Sequence, residues 1–414
     1  MSNQTGVHRR QFNKTLVAAG TAAALAPFGI LRAQGTKLKV GVLLPRSGVQ
    51  ALIGQSCQKG ADLAPGVLKE LFGVDIEIMN GDTESNADTA RTRAERLIQE
   101  GAHILVGAFD SGHTAAVAQV AEQRGVPLVI NIAAAPQITE QGYKFVFRNF
   151  PIAPELVTNG LSLIGDLFRA TKVAPRTAVF MHVNDTFGQA MSKGIAAILP
   201  RLTELPFRIV DTIPYDPAAK DLTVEISKAK ASNADFLLLV CRLNDAIVLR
   251  REMVKQRWRP MGVVSPGSPG IYEEQFSKVL GPLAEHCISN TVWYNPKSNM
   301  SKVVGNAFKK LNPKDELAFH GVNIGYTFDA IMIAADAYRR AKSTNPKELA
   351  EAVRQTSLTD RMSLGGPIKF NPKGQVMGNL SATIQIRKGL PTVVLPPEFA
   401  VAQPVFPAPD YKKA

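Results

Sequence analysis

The sequence predicts an α/β protein of two lobes, each built on a parallel sheet with helices on both faces. Three observations carry that expectation. Short apolar runs alternate with stretches of helical length, the order that builds parallel strands crossed over by helices. The runs themselves, such as His103-Ile-Leu-Val-Gly107, Val126-Pro-Leu-Val-Ile130 and Asp235-Phe-Leu-Leu-Leu-Val240, are continuous rather than alternating, as strands covered on both faces are. The pattern breaks at Asn149-Phe-Pro-Ile-Ala-Pro154, where two prolines interrupt both periodicities, and then starts again.

At the N-terminus, His8-Arg-Arg-Gln-Phe-Asn-Lys14 approximates the twin-arginine export motif, and a weakly apolar Ala/Gly-rich run follows from Thr15 to Ala26. That run is too short to span a bilayer, so residues 1–33 are expected to be a signal peptide cut after Ala33, with the protein exported already folded. Cys is absent just beyond the cut, which argues against a lipid anchor. Removal takes away Arg9, Arg10, Lys14 and Arg32 and no acid, so the formal charge falls from +13 to +9. The remaining positive residues are scattered, without the basic blocks or interleaved aromatics of a nucleic-acid surface. The remaining 381 of 414 residues exceed one comfortable core and predict two domains. No later segment approaches the roughly 18 uninterrupted apolar residues of a membrane helix, so a soluble protein is expected.

In chain order, Lys37 to Leu44 alternates and then runs apolar as a first strand, and Pro45-Arg-Ser-Gly48 turns it into a helix over 54–71. Val74 to Met79 is a more exposed strand, and Asn86 or Asp88 opens an arginine-rich helix that ends at Glu100-Gly101. The strand at 103–107 runs into Ala108-Phe-Asp-Ser-Gly-His-Thr114, where Ser111 or Thr114 is expected to cap a helix over 115–124. Free N–H groups and a hydroxyl at that helix start would form an anion site. After Gly125 and the strand at 126–130, Asn131 to Pro136 is a turn of small residues, and Tyr143 to Phe150 is the last strand of the first lobe. Two adjacent strands thus end in small-residue loops, where open α/β sheets bind ligands.

The second lobe repeats this order. A helix over 154–170, a strand over 177–182, the turn Asn184-Asp-Thr-Phe-Gly188 and a helix over 189–199 lead to a strand at 208–213 and a helix at 222–231. The buried strand 235–240 precedes a helix capped by Asn244, then a short strand and the turn Ser265 to Gly270. Beyond the strand 286–293 come helices at about 301–310, 320–341 and 346–356, a hairpin-like stretch from Gly365 to Gly374, and short strands at 381–386 and 392–395.

Catalytic and metal chemistry find little support. The three Cys, Cys57, Cys241 and Cys287, are widely spaced, and the six His form no HxxxH or HExxH, so no metal is expected. GxGxxG, GxxxxGK[ST] and GxSxG are absent, and Asp110, Ser111 and His113 lie too close in one turn to form a triad. No cofactor is expected.

Gly107-Ala-Phe-Asp-Ser-Gly-His-Thr114, with Gly125-Val-Pro-Leu-Val129, Ala133-Ala-Ala-Pro136 and Gly142-Tyr-Lys-Phe-Val-Phe-Arg148, resembles the first-domain signature of periplasmic solute-binding proteins of the leucine/isoleucine/valine-binding type. Tyr326-Thr-Phe-Asp-Ala330 and Phe370-Asn-Pro-Lys-Gly374 resemble the family's late motifs, so the resemblance covers nearly the whole mature chain. It implies the type I periplasmic binding protein fold, two Rossmann-like lobes joined by a three-crossover hinge, with crossings near Phe150, Asn290 and Gly378. The lobes would be 36–150 plus 291–377 and 151–290 plus 378–414. It also implies a monomeric periplasmic component of an ABC importer of the branched-chain amino acid type, whose partners are a small carboxylate solute and membrane permease subunits, and not an enzyme. An exported α/β enzyme or a ligand-sensing domain of the same fold is the alternative.

The resemblance assigns a ligand carboxylate to Ser111 and to the loop at Ala133 and Ala134, although a Thr is usual where Ala134 stands. The family's Glu for a ligand ammonium falls near Gly267, in a loop with no acid from Ser265 to Gly270. An ammonium closed in without an anionic partner is costly to desolvate. The expected solute is a small carboxylate, an amino acid or an aromatic or branched organic acid, and one without an α-amino group is expected to bind more tightly than leucine. Asp110 is the alternative partner for an ammonium, and the resemblance also leaves amides and urea-like ligands open. Ile53, where an aromatic is frequent, Phe187 and Arg242 match the other pocket positions, and Arg242 is placed to clamp a second carboxylate.

Overall fold

The computed structural model describes residues 37–409, so the expected signal peptide lies outside the described residues. Strand β1 (Leu38–Leu44) leads into helix α1 (Ala51–Phe72), followed by β2 (Ile76–Asp82), α2 (Ala87–Gln99), β3 (Ile104–Gly107), α3 (Ser111–Arg124), β4 (Leu128–Ile130) and β5 (Val146–Arg148). Next come α4 (Ala153–Thr171), β6 (Thr177–Val183), α5 (Thr186–Ile198), β7 (Arg208–Tyr215), α6 (Thr223–Ala231), β8 (Phe236–Val240), α7 (Leu243–Lys255), β9 (Val263–Ser265), α8 (Glu274–Leu280) and β10 (Ile288–Val292). The chain ends with α9 (Asn299–Leu311), α10 (Leu317–Ala341), α11 (Pro346–Arg354), β11 (Ser381–Arg387) and β12 (Leu390–Leu395).

Two sheets result. The first is fully parallel in the order β2-β1-β3-β4-β5, with Val40 beside Ile104, Leu105 beside Leu128 and Leu128 beside Val146. The second has the order β12-β11-β10-β9-β8-β6-β7 and is parallel from β10 to β7. The two short late strands extend it as an antiparallel pair, Ile288 facing Gln385, so this sheet is mixed at one edge. In each sheet the strand order reverses between two neighbours, β1 and β3 in the first and β6 and β8 in the second. A crevice opens beyond the strand ends at such a reversal.

Helix α10 is buried along nearly all its length and packs on α1 and on β1, β3 and β4, which explains why its sequence is apolar all round. Gly60 of α1 makes that packing close, because a Cβ there would meet the Ile324 carbonyl oxygen at 2.6 Å. The hairpin-like stretch forms isolated pairings, Leu358 with Ile368 and Phe370 with Val376, and no strand of its own.

Candidate functional site

The first wall of the site is set by the turn after β3. Helix α3 starts at Ser111 rather than Ala115, because Asp110 is its N-cap and accepts from the N–H groups of Gly112 at 2.8 Å and His113 at 3.4 Å. Those two amides are therefore taken by the protein's own carboxylate and are not part of an anion site. Ser111, 1 % exposed, has another role: its Oγ accepts from the N–H groups of Ala134 at 3.2 Å and Ala135 at 3.3 Å. The hydroxyl hydrogen has no acceptor among the described residues. Phe109 sits at φ 66°, a left-handed conformation that costs a non-glycine residue about 1–3 kcal/mol. Asn131 holds it there by accepting the Phe109 N–H at 3.2 Å.

The loop at 133–136 is shaped from behind by Arg148, which is fully buried at the end of β5. Its guanidinium donates to the carbonyls of Ala133 at 2.9 Å and Ala135 at 3.0 Å and to Thr139 Oγ1 at 2.8 Å. Burial without an ion-pair partner pushes its pKa down to about 9, against the weaker pull of Glu155 and Glu140. With the Ala133 carbonyl drawn to Arg148, the Ala134 amide in the same peptide turns toward Ser111; the Ala135 amide is set by the Ala134 carbonyl, which accepts from the Ala153 N–H at 2.7 Å.

The second wall comes from the strand ends of the other sheet. Asp185 caps α5 through the Gly188 N–H at 2.8 Å and sets Phe187 at the start of that helix. Arg242 follows β8 and precedes α7, where it takes the N-cap position in place of the expected Asn244, because the Asp245 carboxylate accepts its N–H. Asn244 instead donates to the Val49 carbonyl at 2.8 Å. The Arg242 guanidinium lies 5.2 Å from the Phe187 ring centre, and its Nη2 reaches Asp185 Oδ2 at 2.7 Å and Asp110 Oδ2 at 2.5 Å. Burial raises the Asp110 pKa, but Arg242, His113, Gln50 and the Gly112 N–H more than offset it and hold the carboxyl below its usual range. Arg242 is in turn stabilised as a cation, since Asp110 and Asp185 outweigh the cost of its burial.

These walls enclose a cavity of about 30 Å³ lined by Ser111, Ala133, Ala134, Phe187, Arg242 and Gly267, so six of the eight anticipated residues come together. Asp110 stands behind Arg242. Ile53 lines a neighbouring outer pocket of about 110 Å³, which shares Arg242 with the inner one. The remaining lining was missed in the sequence: Phe109, Ile132, Phe150, Pro269, Tyr272, Thr291 and Val322. Phe150, Thr291 and Val322 come from crossings and late elements whose approach only the fold determines, whereas Phe109 and Pro269 adjoin residues already singled out. An acid was missed as well. Glu273 is buried beside Tyr272, its Oε1 accepts from Asn323 Nδ2 at 2.8 Å, and burial pushes its pKa up to about 8, so it is mostly neutral at pH 7.

The family model described as "Periplasmic binding protein" matches residues 37–389. The chain belongs to that family. As a periplasmic binding protein it works outside the cytoplasm, and no described helix is long and apolar enough to cross a membrane. It is 25% identical over 372 residues to the Leu/Ile/Val-binding protein homolog 1 of Brucella suis biovar 1, covering 89% of this chain and 91% of that one. The branched-chain amino acid transporter substrate binding protein from Streptococcus pneumoniae, solved with isoleucine, matches with a TM-score of 0.71 at 19% identity, covering 87% of this chain and 100% of that one. A solute binding protein of an ABC transporter from R. palustris, solved with benzoate, matches with a TM-score of 0.72 at 18% identity, covering 88% and 99%. The two solved neighbours are substrate-binding or solute-binding proteins of transporters.

Proposed function

We propose that this protein captures a small, ring-bearing carboxylate without an ammonium group and delivers it to the permease of an ABC importer of the branched-chain amino acid type. One observation carries the choice of ligand: the acids held by Arg242 beside the cavity, Asp110 and Asp185, are already occupied. Asp110 accepts from Gly112, His113, Gln50 and Arg242, which fills its lone pairs, and Asp185 is held by Arg242 and the Gly188 N–H. What the protein offers a ligand is the hydroxyl hydrogen of Ser111, polarised by the two amides that donate to its oxygen, a donor for a carboxylate. Around it stand the rings of Phe109, Phe150, Phe187 and Tyr272. The isoleucine-bound and benzoate-bound neighbours show that this fold serves both ligand classes, and the occupied acids favour the second.

In this reading the lobes are 36–150 plus 291–377 and 151–290 plus 378–414, closing about crossings near Phe150, Asn290 and Gly378. Support for those bounds comes from bonds that hold each returning segment to its own lobe: Gln375 donates to the Phe150 carbonyl at 2.7 Å, and Thr383 donates to Asn290 Oδ1 at 2.6 Å. The protein acts as a monomer, exported through the twin-arginine route. A thermal-shift panel of aromatic acids, aliphatic acids and amino acids tests the ligand class, since a ligand at a hundredfold its Kd adds roughly 2.7 kcal/mol. Stabilisation by aromatic acids alone is the expected result, and stabilisation by branched-chain amino acids alone overturns the reading.

A further inference from the structure

Besides Ser111, the inner cavity carries two hydroxyls that the protein leaves unused. Thr291, near the end of β10, is 3 % exposed, and Tyr272, before α8, is 4 % exposed, and both line the inner cavity. Neither hydroxyl has a hydrogen-bond partner among the described residues. Hydroxyls of the loop and strands beside them are paired: Ser268 Oγ with Ser265 Oγ, Ser289 with the Ser268 carbonyl at 2.9 Å, and Thr383 with Asn290. Buried polar groups are usually satisfied, so two left open on one cavity point to a ligand. Both are held firmly. The Tyr272 ring packs edge-on against Trp293 at 5.3 Å, and the Thr291 backbone pairs with Ala382 within the sheet.

Resting on the carboxylate reading above, we infer that Thr291 and Tyr272 form a second polar subsite that recognises an uncharged oxygen, a ring hydroxyl remote from the ligand's carboxylate. Each side-chain hydroxyl donates one hydrogen and accepts at its lone pairs, so together they satisfy both the donor and the acceptor of a ligand hydroxyl. A charged group is disfavoured there. An ammonium would meet two neutral oxygens, and the adjacent Glu273 is buried, bonded to Asn323 and mostly protonated at neutral pH. A site built to pair with a hydroxyl rejects the analogue lacking it, because the site's own polar groups are then left unpaired.

The test is calorimetry with benzoate, 3-hydroxybenzoate, 4-hydroxybenzoate and 4-methylbenzoate on the wild type, Thr291→Val and Tyr272→Phe, with thermal unfolding to verify that each variant is folded. One of the two hydroxy acids is expected to bind wild type at least tenfold more tightly than benzoate and 4-methylbenzoate. In each variant that ratio falls toward one. Wild-type binding of benzoate with no preference for either hydroxy acid overturns this subsite and leaves the carboxylate reading standing. An unchanged ratio in both folded variants also overturns it. Failure of all four acids to bind overturns the carboxylate reading, and the subsite with it.

Discussion

Arg242 Nη2 lies 2.5 Å from Asp110 Oδ2, and this contact joins the strand end of one sheet to the helix start that follows a strand of the other. Both groups are buried, and breaking such a pair leaves a charge without its partner. Asp110→Asn keeps an acceptor for the Gly112 and His113 amides, so α3 remains capped while the ion pair is lost. Small-angle scattering of the ligand-free variant is expected to show a larger radius of gyration than wild type, with saturating ligand restoring much of the difference. Equal radii would show that the pair does not hold the walls together.

Ser111 ties the loop after β3 to the loop after β4, as the Asn131 side chain also does. Ser111→Ala removes the acceptor for the Ala134 and Ala135 amides and the free donor together. A hydrogen bond to a charged group contributes about 1.5–3 kcal/mol, so carboxylate binding should weaken by roughly tenfold or more. Direct titration of benzoate into the folded variant measures this, and an unchanged Kd would place the carboxylate elsewhere.

Glu273 gives the fold a pH dependence of definite sign. Its pKa is pushed up from 4.5 to about 8, first by burial, with Asn323 opposing and Glu274 adding. Between those values the folded protein holds a proton that the unfolded chain has released. Its contribution therefore makes stability fall as pH rises from 4.5 to 8 and stay low above that. Glu273→Gln keeps the acceptor for Asn323 and removes the ionisation. Above pH 8 it is expected to be more stable than wild type by an amount on the order of a few kcal/mol, with the advantage gone below pH 4.5. Denaturant unfolding at several pH values reads the difference, and a difference independent of pH would contradict the assignment.

Export is tested at the N-terminus, outside the described residues. Replacing Arg9 and Arg10 together by Lys removes the paired guanidinium groups and is expected to leave precursor in the cytoplasm. A normal periplasmic yield of the double variant would rule out the twin-arginine route.

Much of this architecture was legible because buried parallel strands leave continuous apolar runs. Leu105, Val129 and Leu238 lie in such runs, and Asn86 caps α2 as its position suggests, accepting from Asp88 and Thr89. The turn at 108–114 was legible as a site but not in detail, because Asp110, Ser111 and Thr114 are all capping residues and sequence does not rank them. Asp110 wins because its carboxylate also receives Arg242. That bridge spans 132 positions and leaves no local signal. Arg148 was the exception: an Arg closing an apolar strand is a buried cation in need of acceptors, a signal present in Val146-Phe-Arg148. Tyr272 and Thr291 read as ordinary core until the fold brings them to the cavity.

The central claim is that the cleft accepts a ring-bearing carboxylate and refuses an ammonium because its acids are already paired. Isothermal calorimetry of benzoate and of leucine against the purified mature protein, under identical conditions, tests it most directly. The account predicts measurable heat and saturation with benzoate and none with leucine at the same concentrations. Micromolar or tighter leucine binding, with no response to benzoate, would contradict it and mean that an acid of the cleft gives up its present partners to hold an ammonium.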